Sequence, residues 1–294
     1  MLPADWRKRF RGREEHELLL RPLTTWRIGG PAETYLEPAD AEDLAGTVAM
    51  LHRIGLPYRV LGGGSNLLVP DRGVRGVVLS LGRLTGIEVR DDRVVAEAGA
   101  RLKDVVLFAA DDARAGLENL TGIPGRVGGA VFGNAGSRHG AIGEVCVRLE
   151  LLEPGGGVEV VEPGPGFFAY RSSRVGDRIV VRAHLATREG DPSSLRSRIR
   201  DLVAERLRTQ PGWVGNAGCV FRNPPGDSAG RLIDSAGCKG MRRGGVHVSQ
   251  RHANFFENDH GGTEADVLAL VEAVRDQVRR VHGVELELEV RRWT

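Results

Sequence analysis

The sequence is short of cysteine, of long hydrophobic runs and of charge of one sign. Its three cysteines, Cys146, Cys219 and Cys238, show no Cys-x-x-Cys spacing, so we expect neither a disulfide framework nor a metal site. No segment approaches the roughly 18 apolar residues of a membrane span, and the charged start of the chain lacks the apolar stretch of a secretory signal. A cytoplasmic protein is therefore predicted.

The charge balance also limits the partners. A formal net charge of +2, with basic and acidic residues evenly mixed, argues against a nucleic-acid surface or a membrane anchor. Even the arginine-rich segment 196–208 is expected to be a solvated helix face, balanced by Asp201 and Glu205. With 294 residues, 41% of them hydrophobic, the chain is long enough for two or three globular domains.

Glycine, in contrast, is abundant. There are 41 glycines among 294 residues, well above an average usage of about 7%. They cluster at 29–30, 62–64, 122–140 and 226–245. The segments between these clusters have ordinary helix or strand patterns, so the glycines do not form a low-complexity linker. Such clusters indicate tight turns or backbone that lies close to a ligand.

Hydrophobic periodicity predicts a mixture of helices and strands. Helices are expected at 41–54, 102–115, 193–208 and 264–282, the last with Thr263 as its N-cap. Strands are expected at 58–61, 76–81, 94–98, 145–152, 158–161, 179–185 and 284–290. Because strands and helices do not alternate strictly, we predict an α+β fold rather than a doubly wound parallel sheet. A change of composition at 186–212 marks the expected main domain boundary.

Two glycine segments are candidates for a phosphate site. The first reads LGGGSNLLV from Leu61 to Val69, and its successive backbone N–H groups are able to converge on an anion. It is neither a Walker A motif nor the G-x-G-x-x-G fingerprint. The second reads GIPGRVGGAVFGNAG from Gly122 to Gly136. Two such segments suit a long flat dinucleotide such as FAD, although each alone is also compatible with simple turns.

Seven segments, in this order and spacing, resemble the UDP-N-acetylenolpyruvoylglucosamine reductase family, MurB. They are RIGGPA at 27–32, LGGGSNLLV at 61–69, GIPGRVGGAVFGNAG at 122–136, YRSS at 170–173, NAGCVFRNP at 216–224, AGRLID at 229–234 and HANF at 252–255. The resemblance extends from about Thr24 to Arg291. It implies the FAD-binding fold of vanillyl-alcohol oxidase, with FAD as cofactor and NADPH as electron donor.

The resemblance also implies the reaction and the domains. The family reduces UDP-N-acetylglucosamine enolpyruvate to UDP-N-acetylmuramate for peptidoglycan synthesis, by hydride transfer from flavin N5 to C3 and protonation of C2. Five segments are expected: an N-terminal extension at 1–20, FAD-binding subdomains at 21–80 and 81–190, a substrate-binding domain at 191–283, and a C-terminal strand at 284–294 that returns toward the active site.

The resemblance transfers site residues to this chain. For the cofactor they are Leu61, Gly62, Gly63, Gly64, Ser65, Asn66, Gly122, Ile123, Pro124, Gly128, Gly129, Ala130, Asn134, Gly136 and Arg231. For the substrate they are Tyr170, Arg171, Arg222 and Asn223. Arg171 also matches the family arginine that stabilises the enolate-like charge, a role that suits a planar, permanently charged guanidinium.

Two further catalytic residues complete the expected site. Cys219 occupies the position where the family usually has the serine that protonates C2, and a thiol is the better proton donor. The alternative is that Cys219 only packs and that water is the acid. Glu289 matches the family glutamate, but Glu285 and Glu287 have the same strand parity, so only the Glu-Val-Arg context selects Glu289.

Competing interpretations remain at this point. A flavin oxidase with another substrate retains the cofactor site but has no need of Arg171, Cys219 and Glu289 together. A catalytically silent flavin-binding or UDP-sugar-binding protein is favoured only by the cysteine at 219. The stretch between Arg171 and Cys219 lacks tyrosine, which resembles the shorter subtype of the family. We expect a monomer, with a weak homodimer as the alternative.

Overall fold

The structure is a computed structural model that describes residues 2–212 and 215–294. The chain divides into two compact units. Unit 1 comprises Met1–His16, Thr34–Gly63 and Gly76–Ala204, and unit 2 comprises Glu17–Glu33, Gly64–Arg75 and Glu205–Thr294. The five-segment division expected from the family stays a prediction beside this one.

The helices of the described residues are α1 Ala4–Arg7, α2 Ala41–Arg53, α3 Leu102–Asp111, α4 Val127–Phe132, α5 Pro192–Thr209, α6 Ala229–Ser235 and α7 Glu264–His282. Short 3-10 helices lie at Arg21–Leu23, Glu118–Leu120 and Ile142–Glu144. In the part of the chain that the structure describes, no helix is both long and apolar enough to cross a membrane.

The strands are β1 Arg13–Leu19, β2 Pro31–Glu37, β3 Tyr58–Leu61, β4 Leu67–Leu68, β5 Val74–Ser80, β6 Ile87–Arg90, β7 Arg93–Glu97, β8 Arg114–Ala115, β9 Gly136–Ser137, β10 Gly140–Ala141, β11 Cys146–Leu152, β12 Val158–Val161, β13 Phe168–Ala169, β14 Ser172–Ser173, β15 Ile179–Ala186, β16 Arg188–Glu189, β17 Arg242–Arg243, β18 Val246–Val248, β19 Phe256–Asn258 and β20 Arg291–Arg292.

Unit 1 is organised around a five-stranded sheet of order β12-β11-β15-β7-β6. All of its neighbours are antiparallel, with Leu149 opposite Ala183 in the centre. The β-branched runs predicted as strands form β7, β11 and β15, and their buried side chains join those of α3 and α4 in one core. Strand β3 pairs in parallel with β5 in the same unit. The mixture of antiparallel sheet, a parallel pair and flanking helices agrees with the predicted α+β class.

Residues 2–16, within the segment predicted as an N-terminal extension, belong to unit 1, and Leu2 and Trp6 join its core. Trp6 is 9% exposed and stacks on Phe10 with 4.5 Å between ring centroids. The following strand, β1, lies at the edge of a four-stranded sheet of order β1-β2-β5-β3. No strand was predicted for β1, because its sequence, REEHELL, has apolar residues only at its C-terminal end.

Unit 2 has its own core, formed by α6, α7 and the three-stranded sheet β17-β18-β19. The fully buried Trp26 donates its indole N–H to the carbonyl of Phe256 at 3.1 Å. Helix α7 begins as predicted, with the Thr263 hydroxyl accepting from the N–H of Asp266 at 3.1 Å. Gly283 ends it with φ +68°, a left-handed conformation that suits glycine.

The strand predicted at 284–290 does not form. Its pairing is an isolated bridge between Leu288 and Phe221, with main-chain hydrogen bonds between 220–222 and 287–289. A two-residue strand, β20, follows it and pairs in parallel with β4. Alternation of apolar and acidic residues does not by itself make a strand, because a continued ladder of hydrogen bonds to a neighbour is also required.

Candidate functional site

The two predicted glycine segments meet within unit 1. A methyl group built on Gly63 would lie 2.9 Å from the Cα of Gly125, and one built on Gly62 would lie 4.0 Å from the Cα and nitrogen of Gly129. A side chain at Gly63 would therefore force the segments apart. Two lengths of main chain, separated by some sixty positions in the sequence, thus face each other without side chains between them, and we call this pair of segments the glycine strip.

Buried anchors fix both sides of the glycine strip. On the first side, β3 ends at Leu61, which is 3% exposed. On the second side, the N–H of Leu102 donates to the carbonyl of Gly125 at 3.1 Å. The guanidinium of Arg126 donates to the carbonyls of Gly99 and Gly82, and burial lowers its pKa. Arg126 lies in the second glycine segment, but its role as an anchor was not predicted because its acceptors are distant in sequence.

The glycines of the second segment lack a side chain for different reasons. At Gly128 a methyl group would lie 2.9 Å from the Cβ of Ala98, and at Gly136 it would lie 2.7 Å from the Cβ of Ala141. These two positions are small because the protein packs tightly there. At Gly129 no atom lies within 4 Å of a built methyl group, so its smallness leaves open space.

This open space is the test of whether the residues fit FAD. The bare main chain at Gly62 and Gly129 admits a flat dinucleotide at backbone distance, as a phosphate nest requires. Gly122 adopts φ +82° and turns the chain into this segment. Ile123, beside Pro124, and Ala130 are 9% and 4% exposed and pack in the core of unit 1, which anchors the segment. The residues present therefore fit the cofactor.

Arg171 lies at the tip of a short hairpin in unit 1. Strands β13 and β14 are antiparallel, and Tyr170 and Arg171 form the two-residue connection. Arg171 has φ +56°, a left-handed conformation that is unusual for a residue with a side chain. Tyr170 is 52% exposed, and the guanidinium carbon of Arg171 lies 5.1 Å from the centre of its ring.

The remaining residues of the first motif belong to unit 2. Gly64 has φ +60°, and a side chain there would collide with the carbonyl oxygen of Leu23. Ser65 is half-buried, and Asn66 is exposed. The amide of Asn66 donates to the carbonyl of Glu289 at 3.2 Å, and its own carbonyl accepts from the N–H of Arg291 at 3.2 Å. Asn66 is thus adjacent to the C-terminal segment.

Backbone pairing also brings the Cys219 segment to Glu289 within unit 2. The N–H of Glu289 donates to the carbonyl of Val220 at 2.8 Å, and the N–H of Arg222 donates to the carbonyl of Glu287 at 2.8 Å. Cys219 itself forms a bridge with Phe255. Two predicted catalytic residues that are seventy positions apart in the sequence therefore lie on neighbouring lengths of main chain.

The structure distinguishes the three acids of the C-terminal segment. Glu285 is exposed and forms an ion pair with Arg279. Glu287 is exposed as well, whereas Glu289 is half-buried. Half-burial distinguishes Glu289 from the other two acids, and its choice as the catalytic carboxylate stays a prediction.

The three cysteines also differ. Cys146 and Cys238 are 5% and 0% exposed, as predicted for small packed residues. Burial raises the pKa of Cys146 to about 12 and also raises that of Cys238. Cys219 is only half-buried. Of the three thiols, Cys219 therefore has the access that proton donation requires.

Arg291 is a residue that the sequence analysis missed. It is exposed and lies beside Asn66, and partial desolvation and the neighbouring positive charge of Arg222 lower its pKa. Two guanidinium groups placed near each other suit an anion with more than one negative charge. Arg291 is the arginine of the Glu-Val-Arg context, but the sequence does not reveal that Arg222 lies near it.

Other predicted residues have partners within unit 2. The guanidinium of Arg231 forms an ion pair with Asp227, and its side chain is 57% exposed. The side-chain oxygen of Asn223 accepts from the N–H of Ala229 at 3.0 Å.

The prediction of a fully solvated arginine face is wrong for Arg206, because this side chain is half-buried and burial lowers its pKa to about 10.

Comparison with known proteins places these features in a family. A model of the C-terminal domain of UDP-N-acetylenolpyruvoylglucosamine reductase matches residues 210–293, and a model of an FAD binding domain matches residues 32–162. The second match confirms the predicted FAD-binding fold.

Relatives match over most of their length. A UDP-N-acetylenolpyruvoylglucosamine reductase of Heliobacterium modesticaldum is 44% identical over 286 residues, which are 96% of this chain and 91% of the relative. One from Rubrobacter xylanophilus is 44% identical over 92% of each chain. The crystal structure of the MurB enzyme from Thermus caldophilus is 36% identical, has a TM-score of 0.82, and is matched over 97% of this chain and 100% of that one.

Proposed function

This chain belongs to the UDP-N-acetylenolpyruvoylglucosamine reductase family, and from that premise we propose which of its residues perform the reaction. The enzyme is an FAD-dependent oxidoreductase that reduces UDP-N-acetylglucosamine enolpyruvate to UDP-N-acetylmuramate at the expense of NADPH. Bound FAD supplies the hydride-transfer chemistry. The protein must hold the cofactor, hold the substrate carboxylate and deliver one proton.

The glycine strip holds the cofactor in this proposal. Gly62 and Gly129 present main-chain groups without side chains, and backbone N–H groups in such an arrangement bind a diphosphate. Gly63 allows the first segment to approach Gly125. Gly128 and Gly136 act indirectly, because they allow the segment to pack closely on Ala98 and Ala141. The other cofactor residues expected from the family complete the lining, except Asn134, whose side-chain amide is bonded to the main chain of Ala169 and Gly143.

Arg171 binds the carboxylate of the enolpyruvyl group and stabilises the negative charge that develops on it. Hydride addition at C3 forms a new C–H bond and moves the electrons of the C2–C3 double bond toward the carboxylate, which becomes enolate-like. A guanidinium remains charged at every accessible pH and forms two parallel hydrogen bonds to a carboxylate. Arg171 is half-buried at the tip of its hairpin, next to the exposed Tyr170.

Cys219 is the proton donor to C2. The thiol S–H bond breaks, its proton adds to C2, and the resulting thiolate is reprotonated from water. A thiol with a reference pKa of about 8.5 is neutral near pH 7 and is a stronger acid than a serine hydroxyl. The adjacent Glu289, joined to Val220 by a main-chain hydrogen bond of 2.8 Å, assists at the carboxylate together with Arg291.

One observation supports this assignment most directly: the main chain of 220–222 is hydrogen-bonded to that of 287–289. Without this pairing, a proton donor at 219 and a carboxylate at 289 would have no common location. The cysteine at 219 is then a proton donor on main chain that is paired with the Glu289 segment, which favours an active enzyme over a silent sugar-binding protein.

The reaction is tested on the purified wild-type protein. It should be yellow, anaerobic NADPH should bleach the flavin absorbance, and UDP-N-acetylglucosamine enolpyruvate should restore it while simple alcohols should not. Restoration by an alcohol would favour the oxidase interpretation, and a yellow protein that NADPH never bleaches would favour the silent one. We further propose a cytoplasmic monomer, which sedimentation velocity tests for its oligomeric state.

A further inference from the structure

We propose that Asn134 is a positioning residue for Arg171, one that fixes the substrate-binding hairpin to the cofactor segment. The family resemblance assigned Asn134 to the cofactor, but in unit 1 its side chain is used by the protein itself. The inference rests on the proposed role of Arg171 and adds a residue that acts through it.

Both ends of the Asn134 amide bind main chain. Its nitrogen donates to the carbonyl of Ala169 at 2.8 Å, and its oxygen accepts from the N–H of Gly143 at 3.0 Å. Ala169 is the last residue of β13 and lies two positions before Arg171. Asn134 is 9% exposed, so its amide is largely out of water and is costly to leave without these partners.

A second contact ties the other strand of the hairpin to the same helix. The hydroxyl of Ser173, in β14, donates to the carbonyl of Phe132 at 2.9 Å. Phe132 is the last residue of α4, the helix that contains Gly128 and Gly129. Each strand of the Arg171 hairpin is therefore attached to the C-terminal end of the cofactor segment by one side-chain hydrogen bond.

Local packing shows how closely the pieces fit. A methyl group on Gly143 would lie 2.6 Å from the Cγ of Phe168 and 2.8 Å from the side-chain oxygen of Asn134. Gly143 is therefore small so that the Asn134 amide and the β13 strand can both approach it. This arrangement requires a specific side chain at position 134, rather than any residue that fills the space.

Backbone conformation gives the contacts a purpose. Asn134 and Arg171 both have positive φ, +42° and +56°. Asparagine tolerates this region, whereas arginine adopts it only when surrounding contacts hold it there. The contacts through Asn134 and Ser173 lie on both strands that flank Arg171. We conclude that they maintain its left-handed conformation and thereby aim its guanidinium.

The test is Asn134→Asp in the full-length, FAD-loaded enzyme. Aspartate retains the shape and the acceptor for Gly143, but it cannot donate to Ala169 and places negative charge against that carbonyl. The matched control is Asn258→Asp in unit 2. Asn258 makes the same pair of contacts, donating to the carbonyl of Trp26 at 2.9 Å and accepting from the N–H of Gly262 at 2.7 Å.

Stopped-flow absorbance of two steps, flavin reduction by NADPH and flavin reoxidation by the substrate, separates positioning from a general loss of structure. For Asn134→Asp we expect FAD affinity and bleaching by NADPH to stay within about twofold of wild type. Reoxidation by UDP-N-acetylglucosamine enolpyruvate should slow by roughly ten- to a hundredfold, as expected for a lost, buried hydrogen bond. Asn258→Asp should lower the melting temperature without changing either step.

Other results overturn the inference. If Asn134→Asp loses FAD, the residue serves the cofactor, and if its reoxidation is normal, the hairpin does not depend on it. Should Asn134→Asp fail to fold, Ser173→Ala provides the same test, with several-fold slower reoxidation expected and an unchanged rate contradicting the inference. Failure of the proposed function is distinguishable, because wild type itself would then not bleach or not reoxidise.

Discussion

The glycine strip of unit 1 and the Cys219–Glu289 pairing of unit 2 use the main chain in opposite ways. In the strip, positions such as Gly62 and Gly129 have no side chain, and the main chain itself is left open to a ligand. In the pairing, the main chain is occupied by hydrogen bonds such as that from Glu289 to Val220. Side chains provide the chemistry there, and the main chain only places them.

This contrast determines what mutations should do in each region. Adding atoms to a glycine of the strip should weaken FAD binding. Removing a functional group from a side chain that the pairing places should slow the reaction. A variant of the pairing is expected to retain FAD, and a variant of the strip is expected to lose it.

The largest effect in unit 2 is expected at Cys219. Cys219→Ala removes the proton donor and should slow flavin reoxidation by the substrate by roughly 10²- to 10⁴-fold, the usual contribution of a general acid. Cys219→Ser retains a hydroxyl and should keep substantial activity. Reduction of the flavin by NADPH should be normal in both, as measured by anaerobic stopped-flow absorbance. Equal reoxidation in all three proteins would remove Cys219 as the acid and leave water in that role.

A smaller effect is expected at Glu289, with Glu285 as the matched control on the same segment. Glu289→Gln removes the half-buried carboxylate and should lower steady-state turnover by roughly tenfold, about the effect of one charged hydrogen bond. Glu285→Gln removes only an ion pair with Arg279 in which both side chains are exposed, a kind of contact that contributes little to stability. If the two variants lose the same activity, or only Glu285→Gln is affected, the choice of Glu289 is wrong.

The smallest effect concerns His252, which belongs to the packed framework behind Cys219. Its ring contacts Phe255 with 4.8 Å between centroids, and its Nδ1 accepts from the N–H of Asn254 at 3.2 Å. Burial lowers the pKa of His252 below its ordinary value of 6.5. The unfolded chain therefore binds the proton first as the pH falls, so the stability that the neutral ring contributes is present above pH 6.5 and is lost below it.

Urea unfolding of wild type and His252→Gln at pH 7.5 and pH 5.5 measures this contribution. We expect the free energy of unfolding to fall less between the two pH values in the variant. An identical or steeper fall in the variant would show that the neutral form of His252 does not stabilise unit 2.

The sequence reveals the glycine strip better than it reveals which glycine does what. LGGGSNLLV and GIPGRVGGA are local signals, and two such segments predicted one dinucleotide ligand. Gly128 and Gly129 are nevertheless equivalent in sequence. Only the position of Ala98, thirty residues earlier, shows that Gly128 is small for packing and that Gly129 faces open space.

The catalytic region shows the same limit. The motif context selected Glu289, but the exposure of Glu285 and its pairing with Arg279 depend on how the chain turns after α7. The strand predicted at 284–290 did not form because the segment pairs with its neighbour only around 220–222, and periodicity within one segment does not show how far such pairing extends. Asn134 was assigned to FAD because it lies in a cofactor motif, and its contact with Ala169 is invisible to local sequence patterns.

The central claim is that bare main chain at the glycine strip holds FAD, and the affinity of Gly129→Val for FAD tests it most directly. Gly46→Val is the matched control, since Gly46 and Gly129 are both helical glycines with no atom within 4 Å of a built methyl group. By fluorescence titration of the apoproteins, Gly129→Val should bind FAD roughly a hundredfold more weakly, as a severe steric clash predicts, while Gly46→Val should bind it normally. Normal FAD binding by Gly129→Val would contradict the account.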